Sequence, residues 1–308
     1  MPPRLEGGHP VRQAGGRRLV DPLLRWYDAA ARDLPWRAPD RTPWGVLVSE
    51  VMLQQTPVAR VEPVWLEWMR RWPTPADLAA ASPGDAVRHW GRLGYPRRAL
   101  RLHAAARQIV ERHDGEVPAD LDHLLALDGI GTYTAAAVAS FAFGRRHAVV
   151  DTNVRRVLVR AVEGEALPAP SLTAAELRLA ERVVPDDEAT AARWAVAVME
   201  LGAVVCTARS PRCVDCPVAD RCAWRLAGSP AYDGPPRRGQ AWHGTDRQVR
   251  GRLLAVLRGA SAPVRLDALA AAVPDDELRD SRQRDRCLAS LVEDGLAEPT
   301  ADGYRLPQ

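Results

Sequence analysis

Four of the five cysteines in this 308-residue sequence lie between positions 206 and 222, in the pattern C-x6-C-x2-C-x5-C. They are Cys206, Cys213, Cys216 and Cys222, whereas Cys287 stands alone in a helical pattern. Four thiols this close in sequence are better explained as ligands of one metal centre than as disulfides. The segment has one CxxC pair and is too short for a zinc ribbon. It therefore favours an iron-sulfur cluster of the 4Fe-4S type held by four thiolates, with a tetrahedral zinc site as the alternative.

The composition excludes several classes of protein. Hydrophobic residues make up 46% and charged residues 26%, and no run of about 18 apolar residues exists to span a membrane. Residues 1–18 carry four arginines but no apolar core of a secretory signal. We therefore expect a disordered N-terminus over 1–18 and a cytoplasmic protein. The sequence contains no lysine, so all 42 basic residues are arginine and a catalytic lysine is excluded.

The pattern of apolar residues is helical almost throughout. Apolar side chains recur at three- and four-residue spacing in segments such as 19–31, 98–112 and 133–143, and Pro and Gly separate these segments. We therefore predict an all-α fold of short helices.

The last part of the chain has a different character. A linker is expected over 226–244, where the run GSPAYDGPPRR lies. The segment 245–308 suggests three helices and a terminal hairpin turning at Asp302-Gly303, which is typical of a winged-helix-like module. Residues 241–308 hold 10 arginines against 11 Asp and Glu. This balanced charge gives no support for DNA binding, and the module could equally pack on the cluster domain.

A glycine-rich turn separates two helical segments at L-D-G-I-G-T-Y-T, residues 127–134. Gly129 and Gly131 allow a tight backbone turn, and the helix that follows begins with free amides at its positive dipole end. This geometry binds a phosphate, as a helix-hairpin-helix does on the DNA backbone. On its own, the pattern fits an ordinary helix-helix turn about as well.

A second block, V-V-D-T-N-V-R-R-V at 149–157, places the carboxylate of Asp151 after an apolar stretch and at the start of a helix. With L-P-W-R at 34–37 and S-E-V-M-L-Q-Q-T at 49–56, these blocks resemble the A/G-specific adenine DNA glycosylases, the MutY family of the endonuclease III superfamily. The resemblance covers roughly residues 19–225. It implies an all-α, two-domain helix-hairpin-helix glycosylase fold, with DNA bound in the cleft between the domains.

The resemblance also implies the domain boundaries. The iron-sulfur cluster domain is expected to combine residues 19–40 with 157–225, and the six-helix barrel domain, which carries the helix-hairpin-helix, to span 41–156.

The residues themselves suggest a chemistry for removing adenine. The leaving base must be protonated, and the positive charge that develops on the sugar must be stabilised. Paired carboxylates perform these same two tasks in glycoside hydrolysis. Apolar neighbours of Glu50 would raise its pKa, so that it could donate a proton to adenine N7. Asp151 would stay ionised and face the sugar. The alternatives are that Asp151 is only a helix N-cap and that Glu50 is a surface or salt-bridged residue.

By resemblance, Tyr133 and Asn153 join the site and hold a water or the sugar near Asp151. Tyr133 could otherwise be a core residue and Asn153 a turn amide. In the bifunctional lyase branch, a nucleophilic lysine occupies the position of Tyr133. We therefore expect base removal without strand cleavage.

Further residues match family positions that handle the extruded base. Gln55 and Tyr95 match those that wedge into the base stack, and Trp36 and Arg37 match those near the adenine pocket. A tryptophan beside a proline is otherwise more often a core residue.

Three arginines at the start of one helical segment, Arg97, Arg98 and Arg101, could contact phosphate, with a solvated helix face as the alternative.

The expected function is removal of adenine mispaired with 8-oxoguanine or guanine in double-stranded DNA, by a monomer. A thymine or uracil mismatch glycosylase and a non-catalytic iron-sulfur DNA-binding protein are the alternatives. Members that read 8-oxoguanine often use a Nudix-like domain of over a hundred residues. Only about 80 residues follow Cys222, so no such domain is expected.

Overall fold

The structure, a computed structural model, describes residues 11–234 and 242–308. Within these ranges the chain is almost entirely helical. The α-helices are α1 (Val11–Ala30), α2 (Pro43–Leu53), α3 (Val58–Arg71), α4 (Pro75–Ala80), α5 (Pro83–Trp90), α6 (Arg97–Arg112), α7 (Leu121–Leu125), α8 (Thr132–Phe143), α9 (Thr152–Leu158), α10 (Ala174–Val183), α11 (Glu188–Val204), α12 (Ala223–Leu226), α13 (Asp246–Gly259), α14 (Leu266–Ala271) and α15 (Gln283–Glu293). The strands are β1 (Glu298–Thr300) and β2 (Gly303–Arg305).

α1 begins at Val11, within the segment 1–18 that the sequence predicts to be disordered. Leu19, Val20 and Leu23 are buried, so packing of this apolar stripe stabilises the helix despite the glycines near its start. Residues 1–10 lie outside the described residues. None of the described helices is long and apolar enough to cross a membrane.

The chain divides into two compact units. The first comprises Met1–Leu34, Ala119–Leu121 and Gly131–Pro235, and the second comprises Pro35–Pro118, Asp122–Ile130 and Pro236–Gln308. Residues 131–156 therefore group with the cysteine segment, whereas the sequence placed them in the barrel domain.

The core of the first unit is formed by α1, α9, α10 and α11. Leu23, Leu158, Leu179 and Trp194 are among its buried side chains. Three of the clustered cysteines pack against this same core. The cysteine segment is thus attached to the helices that carry the Asp151 region.

The second unit has a tryptophan-rich core. Trp68 packs edge-to-face against Trp72 and Trp90, with ring centroids 4.8 and 5.5 Å apart. The indole N–H groups of Trp44 and Trp65 donate to the carbonyls of Trp72 and Gly45 at 3.0 and 2.8 Å. Buried tryptophans therefore find hydrogen-bond acceptors at helix ends, as they require.

The C-terminal module has the predicted winged-helix elements. α13, α14 and α15 are followed by the antiparallel pair β1 and β2, in which Pro299 faces Tyr304. Tyr304 also bridges to Val264, which adds a short third segment to the wing. The turn lies one residue earlier than predicted, at Ala301-Asp302, and Gly303 begins β2 with a φ of 141°.

The module belongs to the second unit and packs on α5. Arg258 of α13 donates to the carbonyl of Val87 at 3.0 Å, and Arg88 of α5 donates to the carbonyl of Ala260 at 3.0 Å. The N–H of Gly84 donates to the carbonyl of Pro307 at 2.9 Å. Both ends of the module therefore contact the same helix.

Gly84 offers a test of this packing. A Cβ at Gly84 would overlap the carbonyl oxygen of Pro307 and lie 3.0 Å from the Cβ of Leu306. We expect Gly84→Ala to cost about 1–3 kcal/mol and to raise hydrogen exchange in β1 and β2. Gly259→Ala is the control, because a Cβ there meets nothing within 4 Å. Equal exchange in the two variants would contradict this packing.

Candidate active site and cluster loop

Glu50 lies near the C-terminal end of α2, in the most completely buried helical segment of the second unit. All residues from Trp44 to Met52 are buried, and Glu50 itself is 4% exposed. The alternative that Glu50 is a surface residue is therefore wrong. Glu50 is therefore a buried carboxyl group on a helix whose neighbouring residues are also buried.

Gln55 and Tyr95, the two predicted wedge residues, occupy two turns of the second unit. Both adopt positive φ values, 56° for Gln55 and 46° for Tyr95, which are uncommon for residues with side chains. Gln55 is exposed, and Tyr95 is 48% exposed. Strained backbone at an exposed aromatic residue is typical of functional turns.

Arg98 holds these two turns together from inside the protein. Its guanidinium donates to the carbonyl oxygens of Val51 (2.8 Å), Met52 (3.0 Å), Gln54 (2.7 Å) and Gly94 (3.2 Å) and to the hydroxyl of Thr56 (3.0 Å). It also lies 5.6 Å from the ring centre of Tyr95. Burial lowers the pKa of Arg98 to about 10, so the group remains charged at neutral pH.

The sequence interpretation of Arg98 as a phosphate contact or a solvated residue is wrong, because Arg98 is only 6% exposed. In four of the five hydrogen bonds of Arg98, the acceptor lies more than 40 residues earlier in the chain. No local sequence pattern therefore reveals these acceptors. Arg97 and Arg101, in contrast, are exposed on the same helix.

Trp36 and Arg37 lie in a short 3-10 helix, Pro35–Arg37. Trp36 is buried and packs edge-to-face on Trp65, with ring centroids 5.7 Å apart. The structure therefore places Trp36 in the core. Arg37 is half-buried. Contact of either residue with a bound base stays a prediction.

The glycine-rich turn follows α7. Gly129 has a φ of 77°, and a Cβ there would lie 2.6 Å from the Cβ of Arg101, so only glycine fits. Gly131 precedes α8 as its N-cap, and having no side chain it cannot bond the first amides of that helix. These amides are thus suited to bind an anion.

Asp151 is the N-cap of α9 in the first unit. Its Oδ1 accepts from the N–H of Val154 at 2.7 Å, and its Oδ2 accepts from the side-chain amide of Asn153 at 2.8 Å. Burial raises the pKa of Asp151, while these hydrogen bonds and the charge of Arg156 oppose the rise. Asp151 therefore does cap a helix, and its side chain is half-buried.

Arg156 connects this carboxylate region to the cysteine segment. Its guanidinium donates to the side-chain carbonyl of Asn153 at 2.7 Å and to the backbone carbonyls of Gly202 and Cys206, both at 2.6 Å. A Cβ at Gly202 would lie 2.7 Å from the Cβ of Asn153. The glycine thus lets α9 approach the end of α11 closely.

Tyr133 lies in the first turn of α8. It is half-buried and packs against a small cluster that includes Ala137, Val149 and Ala195. The side chain of Tyr133 thus packs on the core on one side and is partly exposed to solvent.

The four clustered thiols are all half-buried, whereas Cys287 is buried in α15, as predicted. Burial and, to a smaller extent, the neighbouring thiols of Cys206, Cys222 and Cys213 raise the pKa of Cys216 to about 11. The four thiols are therefore close enough to interact electrostatically. A metal centre would stabilise the thiolates that burial disfavours.

Arg160 supports the cysteine segment from one side. It donates to Sγ of Cys206 at 3.4 Å and to the carbonyl of Thr207 at 2.7 Å, and its guanidinium lies 4.7 Å from the ring centre of Trp224. Hydrogen bonds and positive charge at cluster thiolates are typical of iron-sulfur sites.

In the described part of the chain, no three His, Cys, Asp or Glu side chains are placed to hold a single metal ion. A donor set of four thiols in one short segment fits an iron-sulfur cluster.

Comparison with known proteins shows which families the chain resembles. The HhH-GPD superfamily base excision DNA repair protein family matches residues 48–182, and the iron-sulfur binding domain of endonuclease III matches residues 206–222. The chain is 55% identical over 296 residues to an adenine DNA glycosylase of Mycobacterium tuberculosis, covering 95% of each chain. The chain belongs to the adenine DNA glycosylase family. As a member, it carries a 4Fe-4S cluster, and the MutY-type resemblance is confirmed.

Two further comparisons concern the extent of similarity and the fold. The human adenine DNA glycosylase is 45% identical over 212 residues, which cover 66% of this chain and 38% of the human protein. The structure of a thermostable thymine-DNA glycosylase superimposes with a TM-score of 0.61 at 26% identity, covering 70% of this chain and 98% of that one. The helix-hairpin-helix glycosylase fold is thus confirmed.

Replacing Arg98 tests its role in this adenine DNA glycosylase. Arg98→Met removes the donor of five hydrogen bonds, three of which are buried, so we expect the thermal unfolding midpoint to fall by roughly 5–10 °C. Arg97→Met is the control, because Arg97 is exposed and forms one ion pair with Asp294. It should change the midpoint by less than about 2 °C. Similar midpoints for the two variants would contradict the role of Arg98.

The raised pKa of Asp151 predicts a pH-dependent stability difference. Below the ordinary pKa, Asp151 is neutral in both the folded and unfolded states. Between the ordinary and the raised pKa, Asp151 is ionised in the unfolded chain but still largely protonated in the folded protein. Rising pH therefore favours the unfolded chain, and the wild type loses stability. The unfolding midpoint of Asp151→Asn, relative to wild type, should therefore rise between about pH 4 and pH 7. A difference that stays constant or falls would show that burial does not raise this pKa.

Proposed function

We propose that this adenine DNA glycosylase hydrolyses the N-glycosidic bond of adenine mispaired with 8-oxoguanine or guanine, acting as a monomer on double-stranded DNA and without cleaving the strand. The full-length similarity to adenine DNA glycosylases supports the class of reaction. The observation that carries the mechanism is the burial of Glu50 in an apolar helix. A non-catalytic DNA-binding protein has no need to retain such a costly group.

Glu50 is the proposed general acid. Adenine is a poor leaving group until it gains a proton, and we assign Glu50 to donate it to N7 of the base. The apolar surroundings of Glu50 favour the protonated form before the reaction and exclude competing water. Proton donation of this kind contributes about 100-fold or more to the rate.

Asp151 is the proposed partner of the sugar. When the base leaves, the deoxyribose acquires positive, oxocarbenium-like character, which an ionised carboxylate stabilises. Asn153 donates to Asp151 and is itself held by Arg156, so the carboxylate is positioned by a chain of hydrogen bonds. Tyr133 and Asn153 are proposed to hold a water or the sugar beside it.

The remaining steps concern DNA binding. Gln55 and Tyr95 are proposed to enter the base stack when adenine is extruded, since both are exposed on strained turns. Trp36 and Arg37 are proposed to lie near the adenine pocket, and the amides after Gly129-Ile130-Gly131 to bind a backbone phosphate.

The cluster has a separate proposed role. We assign Cys206, Cys213, Cys216 and Cys222 as its ligands. When bound, the cluster supplies a rigid cross-link among four thiolates in the first unit, where Arg156 and Arg160 contact the Cys206 region. Glu50 and Asp151 alone carry the proton and charge changes of the reaction.

Glu50→Gln tests the general acid. Gln has the shape of Glu but no proton to donate, so we expect adenine release from an A:8-oxoguanine duplex to fall by at least about 100-fold with duplex affinity unchanged within several-fold. Glu111→Gln, an exposed change on α6, is the control and should keep the wild-type rate. The assignment fails if Glu50→Gln retains more than roughly a tenth of the wild-type rate.

The same assay tests the substrate. Wild-type protein should release the base from A:8-oxoguanine and A:G duplexes but not from G:T or G:U duplexes. The product strand should break only after added alkali, and borohydride should trap no covalent complex, because the sequence contains no lysine. Preferred release of thymine or uracil would overturn the proposed substrate, and efficient trapping would overturn the monofunctional mechanism.

A further inference from the structure

The turn that carries Tyr95, residues 91–96, has a strained backbone. Gly91, Gly94 and Tyr95 have φ values of 56°, 84° and 46°. Glycine adopts such angles readily, but tyrosine does not. A residue with a side chain keeps this conformation only where the surrounding structure fixes it. The contacts around the Tyr95 turn therefore decide how firmly the proposed wedge is held in position.

The middle of the Tyr95 turn is fixed by the barrel helices. The carbonyl of Gly94 accepts from the indole N–H of Trp90 at 2.9 Å and from Arg98 at 3.2 Å. The carbonyl of Leu93 accepts from the hydroxyl of Thr56 at 3.3 Å. These bonds reach the turn before Tyr95. The helices on either side of the turn have a further set of contacts, which come from the C-terminal module.

α5, the helix before the turn, exchanges arginines with α13 of the module. Arg258 of α13 donates to the carbonyl of Val87 at 3.0 Å, while Arg88 of α5 donates to the carbonyls of Arg258 and, at 3.0 Å, of Ala260. The last carbonyls of a helix lack partners within it, so each helix here receives an arginine from the other. Burial lowers the pKa of Arg258 to about 10, so this arginine remains charged at neutral pH.

α6, the helix after the turn, is joined to the module by Asp294. This residue is the C-cap of α15. One of its carboxylate oxygens lies 3.1 Å from Arg97, the first residue of α6, and the other lies 2.5 Å from Arg250 of α13. Beside this pair, a Cβ at Gly295 would lie 3.7 Å from the side chain of Leu100. Asp294 thus links the start of α6 to both α13 and α15.

We propose that the C-terminal module braces the Tyr95 turn from both sides, and that Asp294 is a positioning residue that acts through Arg97 to keep Tyr95 ready to enter the base stack. This inference rests on the proposed function, in which Tyr95 is a wedge. The module acts here through contacts within the protein and requires no base-reading pocket.

The effect of the brace is to raise the population of the wedge conformation. If the turn also adopts conformations in which Tyr95 is displaced, extrusion slows in proportion to the fraction that remains competent. The ion pair between Asp294 and Arg97 is half-buried, with side chains 24% and 56% exposed. A charge-assisted hydrogen bond in such a position changes a population by about fivefold.

Asp294 also distinguishes bracing from DNA binding by the module. An arginine variant could lose a phosphate contact as well as a contact within the protein. Asp294→Asn instead removes a negative charge, so electrostatics alone would strengthen DNA binding. Slower extrusion without weaker binding therefore indicates a change in the turn.

Base extrusion by the full-length protein tests the brace. The probe is a duplex in which 2-aminopurine, on a 2′-fluoro sugar that resists base release, faces 8-oxoguanine. Its fluorescence rises when the base leaves the stack. We expect Asp294→Asn to slow this rise by about fivefold, with affinity for an undamaged duplex no weaker than that of wild type.

Asp267→Asn is the matched control. It makes the same charge change in the same module, but the Asp267 carboxylate bonds Arg265 and the N–H of Ala268, both within the module. Its extrusion rate should stay within about twofold of wild type, since exposed pairs contribute little. An unchanged rate in Asp294→Asn, or equal slowing in the control, would overturn the proposal.

A double-mutant cycle with Tyr95 separates positioning from general destabilisation. Tyr95→Ala removes the ring that the brace holds in position. In this background, Asp294→Asn should change the extrusion rate by less than about twofold, because its effect passes through that ring. A fivefold effect that persists without the ring would overturn the positioning role of Asp294.

Hydrogen exchange in the DNA-free protein measures the turn directly. Bonded amides lie at both of its ends, at Gly91 and Arg98. We expect Asp294→Asn and Arg97→Met to raise exchange in this segment by about fivefold and Asp267→Asn to leave it unchanged. Arg97→Met spares the bond between Asp294 and Arg250, so it decides the question if the melting midpoint shows that Asp294→Asn unfolds the module. Unchanged exchange in Arg97→Met would overturn the brace.

These measurements separate the brace from the proposed function. Absence of adenine release by wild-type protein from an A:8-oxoguanine duplex would refute the function, whereas exchange in the DNA-free protein would still report on the brace. Normal adenine release by wild type, with unaltered exchange and extrusion in Asp294→Asn and Arg97→Met, would refute the brace alone.

Discussion

Buried guanidinium groups that bind backbone carbonyls hold the functional loops of this protein in place. A helix leaves its last carbonyls unpaired, and these must find donors when they are buried. Arg98 supplies them at the end of α2, and Arg156 supplies them at the end of α11. A planar group with five donors can serve several carbonyls at once, which an ammonium group cannot do in the same geometry. In a sequence without lysine, this chemistry recurs in both units.

Much of the fold was predictable because its determinants are local. The three- and four-residue spacing of apolar residues predicts the all-α fold, and the spacing of the cysteines from Cys206 to Cys222 predicts the iron-sulfur segment. The carboxylate at the start of α9 was predictable too, because Asp151 stands directly before a helical pattern. The burial of Glu50 followed from its apolar neighbours in sequence, which surround it on every face of α2.

The parts that could not be predicted depend on partners distant in sequence. Arg98 belongs to a run of basic residues that is typical of a solvated surface, and its burial requires acceptors from a different helix. Arg156 likewise contacts Cys206, 50 residues further along the chain. The sum of charges over residues 241–308 likewise gives no information about which face of the module each arginine occupies.

Gly202 illustrates how such contacts reverse an ordinary rule. It lies in α11, where helix propensity alone favours alanine over glycine by about 1 kcal/mol. Yet any methyl group at this position would intrude on Asn153, the residue that orients the Asp151 carboxylate. A substitution that improves the isolated helix would therefore displace the hydrogen-bond chain from Arg156 through Asn153 to Asp151. Variants at Gly202 should be judged by the space between α9 and α11 and not by residue preference.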